Sequence, residues 1–160
     1  MAGKLTRSIA APTAMLTLVS VIAGCGGGDT STTQEKASIP QEKATFLEQA
    51  DAICANGNRK LKVANEQAFG NQQANQADVE LFVRTKIVPI VQAQVDQIRA
   101  LAIPSGDQAA VREMLDAAQS DVEKAKREPE LLAQNKPVFE DANELASDYG
   151  LTACGSTHFF

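Results

Sequence analysis

At 160 residues the chain has room for one compact domain and too little for two separate cores. Hydrophobic residues make up 44% of it but aromatics only 4%, with no Trp, so the core must be assembled from Ala, Val, Leu and Ile. A formal charge of −5 argues against nucleic acid as a partner, because phosphate binding needs clustered positive charge.

In chain order, Lys4 and Arg7 precede an apolar stretch from Ile9 to Ala23 that ends in Ile22-Ala23-Gly24-Cys25. The stretch is shorter than the roughly 20 residues a membrane-spanning helix requires, and Pro12 lies near its start. The four residues Ile22 to Cys25 resemble the lipobox of bacterial lipoproteins. That resemblance implies a signal peptide over residues 1–24, cleavage before Cys25, a diacylglyceryl group on the Cys25 thiol and fatty acylation, palmitate included, of the new amino terminus. The lipid bilayer is then a partner through acylated Cys25, and the protein faces the extracytoplasmic side of a cell membrane. More than one chain is needed for stable attachment, since each buried methylene contributes about 0.8 kcal/mol and a single chain binds reversibly. Losing Lys4 and Arg7 with the leader reduces 15 basic residues to 13 against 20 acidic ones. Residues 25–38, rich in Gly, Ser and Thr, read as the lipidated cysteine and a flexible linker that holds the domain roughly 20 Å from its lipid.

The domain itself spans residues 39–160, and four helices are expected in it. Ser38-Ile39-Pro40-Gln41 reads as an N-cap with Pro in the first turn and Gln three residues on, and Glu42 suits the positive end of the helix dipole. Phe46, Ala50, Ile53, Gly57, Leu61, Ala64 and Ala68 recur at spacings of four and three, which places them on one face until Gly70 ends the helix. Asn71 to Gln76 is a loop. A second helix begins near Asn75 or Asp78 and runs to about Ala102, burying Phe82, Val83, Ile87, Ile90, Val91, Ile98 and Leu101, with a kink at Pro89. Pro104-Ser105-Gly106-Asp107 forms a turn and cap. Val111, Leu115, Ala118, Val122 and Ala125 mark helix three, whose last turn carries Lys124, Lys126 and Arg127. After Pro129 and a short Leu131-Leu132 segment, Asn135 and Pro137 open helix four, with Phe139, Ala142, Ala146 and Tyr149 inward and Gly150-Leu151 as its C-cap. No segment alternates with period two long enough to be a strand, so the fold class is all-α, an antiparallel up-down-up-down bundle.

With Cys25 assigned to lipid, Cys54 and Cys154 remain, and in an oxidising compartment they are expected to pair. Cys54 lies about 23 Å along a first helix of roughly 45 Å, and a final helix descending antiparallel brings the tail level with it. The wide separation lacks the CxxC arrangement of a reactive pair. Ala50-Asp51-Ala52-Ile53-Cys54, together with Tyr149-Gly150-Leu151-Thr152-Ala153-Cys154-Gly155, resembles a group of small actinobacterial helical lipoproteins with paired cysteines, defined by pattern rather than by activity. The resemblance implies a helical domain closed by a disulfide and implies no substrate.

Catalytic chemistry has little to draw on. The single histidine, His158, lies in the C-terminal tail, so neither a His-based triad nor a zinc site with several His or Cys ligands can be assembled, and no catalytic, metal or cofactor residue is nominated. Glu140, Asp141, Glu144 and Asp148 form an acidic stripe on helix four that reads as a solvated face rather than a calcium site. Arg59, Lys60 and Lys62 form a small basic cluster that an ordinary polar face explains as well as contact with anionic headgroups. Phe159-Phe160 either folds back onto the bundle or docks into a partner groove. The expected role is that of a non-enzymatic binding or interaction module of the cell envelope, with another protein or the wall as partner. The alternative is a small-ligand binder using a cavity in the bundle opened at the Pro89 kink.

Overall fold

The computed structural model describes residues 39–70 and 73–155. The segments expected to be signal peptide and linker, with Cys25 and Ser38, and Asn71, His158 and the Phe159-Phe160 terminus all lie outside these residues. The described chain is all-helical: α1 (Gln41–Ala68), α2 (Gln76–Phe82), a π-helical stretch (Val83–Ile87), α3 (Val88–Arg99), α4 (Gln108–Arg127), α5 (Pro129–Ala133) and α6 (Glu140–Tyr149).

Helix α1 begins one residue after Pro40, which sits at the N-cap rather than inside the first turn and makes no side-chain cap. Its carbonyl starts the ladder by accepting from the Ala44 N–H at 3.0 Å. Phe46, Ala50, Gly57 and Leu61 are buried as their spacing requires, but Cys54 takes the buried position expected of Ile53, which is half-buried. The adjacent residues differ by about 100° around the helix, and the Cys54 linkage to the tail selects between them. Ala68, expected inward, is exposed. Gly70 adopts φ +54° just past the helix end, a left-handed conformation that costs a side-chain-bearing residue energy.

The expected second helix is interrupted. Asn75 caps α2 by accepting from the Asp78 N–H at 3.0 Å, and its side-chain amide donates to Asp78 Oδ2 at 2.7 Å. One turn before Pro89 the chain widens, so that the Val88 N–H reaches Val83 O, five residues back. Proline lacks a donor and its ring crowds the carbonyl four residues earlier, and a π-turn lets the helix absorb both. Pro89 itself is exposed. Helix α3 ends at Arg99, short of Ala102, as the Leu101 N–H bonds Ile98 O in a tighter turn.

Asp107 occupies the N-cap position of α4 but makes no side-chain cap; its carboxylate is engaged by Tyr149 and Lys43. Asn135 does not open the last helix. It takes φ +55° and ends α5, where the Lys136 N–H donates to Leu131 O at 2.8 Å. Helix α6 starts later, at Glu140, with Phe139 as its N-cap residue. It ends as the sequence indicates: Gly150 has φ +108°, the Leu151 N–H donates to Ala146 O at 2.8 Å, and the Leu151 side chain is buried.

Two apolar clusters form the interior. Leu61, Phe82, Val83, Ile87, Val122 and Phe139 belong to one. Phe46, Ala50, Cys54, Val95, Ile98, Val111, Met114, Leu115 and Leu151 belong to the other. Helix α4 packs on α6 and α3, and α1 packs on α3. The few aromatic residues meet edge-on, with ring centroids 5.8 Å apart for Phe46–Tyr149 and 5.1 Å for Phe69–Phe82.

Candidate functional site

The C-terminal segment after α6 is fastened to the middle of α1. Cys54 and Cys154 form the expected disulfide across a sequence separation of 100. One turn before Cys54, Asp51 receives three hydrogen bonds: from the Thr152 N–H (3.1 Å) and hydroxyl (2.9 Å) at Oδ2, and from the Ala153 N–H (2.8 Å) at Oδ1. One turn after it, Asn58 donates from Nδ2 to Ala153 O at 2.9 Å. Positions 51, 54 and 58 recur at three and four residues, so one helix face carries the whole clamp. Gly155 lies so close to α6 that a Cβ there would fall 2.9 Å from Ser147 Cβ and 3.0 Å from Asn143 O.

Behind this segment is an apolar cavity of ≈ 70 Å³, bordered by the disulfide, by Val91, Gln94, Val95 and Ile98 of α3, by Met114, Leu115 and Ala118 of α4, by Ala142, Asn143 and Ala146 of α6, and by Phe139 and Leu151. It lies along α3 beyond Pro89 rather than at the proline. No ionisable side chain borders it. Two amides stand in its wall, half-buried Asn143 and Gln94; Gln94, 8% exposed, donates from Nε2 to Cys54 O at 3.1 Å. Gly57 makes room for it, since a Cβ at that position would stand 2.1 Å from Gln94 Nε2.

Two polar groups tie the elements around this site. Tyr149 donates its hydroxyl to Asp107 Oδ2 at 2.6 Å, and Lys43 Nζ lies 3.4 Å from the same oxygen and 4.0 Å from the centre of the Tyr149 ring. The Tyr149 hydrogen bond, aided by the Lys43 charge, holds the Asp107 carboxyl below the usual range, while burial and the Asp107 carboxylate push the Tyr149 hydroxyl up. Asp121, on α4 facing α6, is 9% exposed, and its Oδ2 has no hydrogen-bond partner among the described residues. Burial pushes its carboxyl up to about 6; the Ala142 backbone N–H and Lys124 oppose the shift, and Asp141 adds to it.

The other sequence candidates are not drawn into the site. Glu140, Asp141, Glu144 and Asp148 are exposed, as are Arg59, Lys60 and Lys62. Among the described residues no group of three or more His, Cys, Asp or Glu is placed to hold a metal ion, and no helix is long and apolar enough to cross a membrane. Sequence reasoning missed Asp51, Asn58, Gln94 and Asp121. Asp51 and Asn58 were within reach, because they share the helical face of Cys54. Gln94 and Asp121 gave no such signal, since a polar residue on an amphipathic helix is assigned outward by default.

Comparison with known proteins adds no homology: no family model, no curated protein and no solved structure matches the chain.

Proposed function

We propose that the chain is a lipid-anchored extracytoplasmic protein of the cell envelope. Residues 1–24 serve as its signal peptide, Cys25 as its acylated anchor, residues 25–38 as its tether, and the domain within 39–160 as a non-enzymatic binding module for an envelope protein or the wall. The observation that carries this reading is the Cys54–Cys154 disulfide: disulfides are favoured in oxidising compartments, and this one leaves Cys25, at the end of a lipobox-like motif, as the odd cysteine. Growth of an expressing bacterium with an alkyne-tagged palmitate tests it. Label on the wild-type chain that disappears in Cys25→Ser is expected, and an unlabelled chain that retains Met1 to Gly24 overturns it.

The helices run antiparallel in up-down-up-down order in this reading. Support comes from the pairing of early with late positions on successive elements: Glu42 Oε2 accepts from the Ser105 N–H, Arg84 donates to Lys126 O, and Gln92 and Gln119 exchange hydrogen bonds. Spin labels at the exposed positions 63 and 81 should then lie closer together than labels at 45 and 81.

The cavity beside the disulfide favours a second reading, a small-ligand binder, because it is apolar and carries a buried amide. A ligand retained there would appear as a mass lost from the native protein on denaturation.

A further inference from the structure

The cavity differs from an ordinary packing defect in one respect. A buried amide side chain, Gln94, stands in its mostly apolar wall, at a position where Leu or Met would fill the same space without desolvating a polar group. Gln94 donates from Nε2 to Cys54 O, and its Oε1, which is not fully buried, accepts from no described residue. The interior is also shaped around it, since any side chain at Gly57 would collide with the Gln94 amide. The cavity therefore offers hydrocarbon surface and, besides the half-buried Asn143 amide, the Gln94 Oε1 acceptor. With no ionisable group in the wall, a charged ligand would enter unpaired.

We propose that this cavity is a binding site for a small neutral aliphatic molecule carrying one hydroxyl group, its O–H donating to Gln94 Oε1 and its carbon atoms lying against Val91, Val95, Met114, Leu115 and Ala146. The size agrees: a cavity of about 150 Å³ accommodates benzene, so ≈ 70 Å³ suits a molecule of three or four heavy atoms. Met114 lends the wall some give, because its unbranched thioether adapts to irregular shapes. The half-buried wall residues Ala118, Asn143 and Cys154 mark where the cavity meets the surface.

The proposal rests on the ligand-binding reading above, and two probes separate the fates of the two. The Met114 methyl resonance is followed by NMR during titration with 1-propanol and, separately, with xenon under pressure. Saturable shifts with both probes are expected for the wild-type domain. Gln94→Leu should weaken 1-propanol at least about tenfold, the factor that corresponds to roughly 1.4 kcal/mol and hence to one neutral hydrogen bond, while leaving xenon binding in place. If Gln94→Leu does not fold, Gln94→Met serves the same comparison. Xenon binding with no 1-propanol binding, or with 1-propanol binding untouched by the substitution, overturns the hydroxyl site but leaves a ligand cavity. No shift with either probe overturns both, as does a tightly held water that neither probe displaces.

Discussion

Asp121 is a carboxylate whose burial works against its charge. Its carboxyl is raised from 3.8 to about 6, so the folded chain holds the proton more tightly than the unfolded chain does. Between those two values the native state binds more protons than the unfolded state, and the stability therefore falls as pH rises from about 4 to about 6 and levels off above. Asp121→Asn removes the titration and keeps an acceptor for the Ala142 N–H. Chemical denaturation across pH 4 to 7.5 should show a flatter profile for this variant and a gain of about 2 kcal/mol at pH 7.5. Glu42 and Asp107 run the opposite way: hydrogen bonds, from Ser105 and Tyr149 respectively, hold both carboxyls low, and their contribution is lost as pH falls through those lowered values. A single acid limb that Asp121→Asn leaves unchanged would contradict this assignment. Gly57 is a second residue-scale constraint. Gly57→Ala should destabilise the domain by roughly 1–3 kcal/mol despite the better helix propensity of Ala, because the added methyl must displace Gln94.

At the scale of elements, the strap from Leu151 to Gly155 is held by α1 in two ways, one covalent and one through Asp51 and Asn58. Asp51→Ala removes three acceptor contacts and should lower stability by about 1–3 kcal/mol. Hydrogen exchange at the Thr152 and Ala153 amides should accelerate while exchange in α3 and α4 changes little. How far such elements can be read from sequence differs by type. Gly70 and Gly150 were legible because only a residue without a side chain takes their positive φ cheaply, and the apolar positions of α4 were legible because they recur at the helical period. The π-turn was not: Pro89 signals a local disturbance, but where the widening falls depends on keeping both Val83 and Ile87 buried, a tertiary condition. The cap at Asp107 was misread for a similar reason. Its residue type and position fit an N-cap, but a tyrosine 42 residues further along competes for the carboxylate. The cavity was expected at the proline and lies elsewhere, since its volume is set by the alanines and by Gln94 on three different helices, which periodicity places on faces without fixing their heights.

For the whole molecule, the disulfide closes a loop that contains α2 to α6 and the later half of α1. Replacing both cysteines by Ser should lower the unfolding free energy by about 2–5 kcal/mol, with roughly 4.7 kcal/mol as the upper end given by loop-closure entropy alone. Combining that pair of substitutions with Asp51→Ala in a double-mutant cycle should give a coupling well above 0.5 kcal/mol, because a strap freed from its covalent bond relies on Asp51 more heavily. Additive losses would mean that the two fastenings act on separate parts of the fold. The pairing of Cys54 with Cys154 was legible by elimination among three cysteines, whereas the contents of the space beside it were not, because volume is a property of the assembled helices.

The place where the strap meets α1 also fixes how the domain carries load. A pull applied at its two ends travels through residues 41–53, crosses the sulfur bridge at Cys54 and leaves through Cys154, so the hundred-residue span between them sits off the line of tension. Only the opening turns of α1 can be peeled away. Stretched in an oxidising buffer, the domain should lengthen by that short segment alone; with a dithiol reductant present, a second extension of about 350 Å should appear as the sheltered span joins the chain under tension.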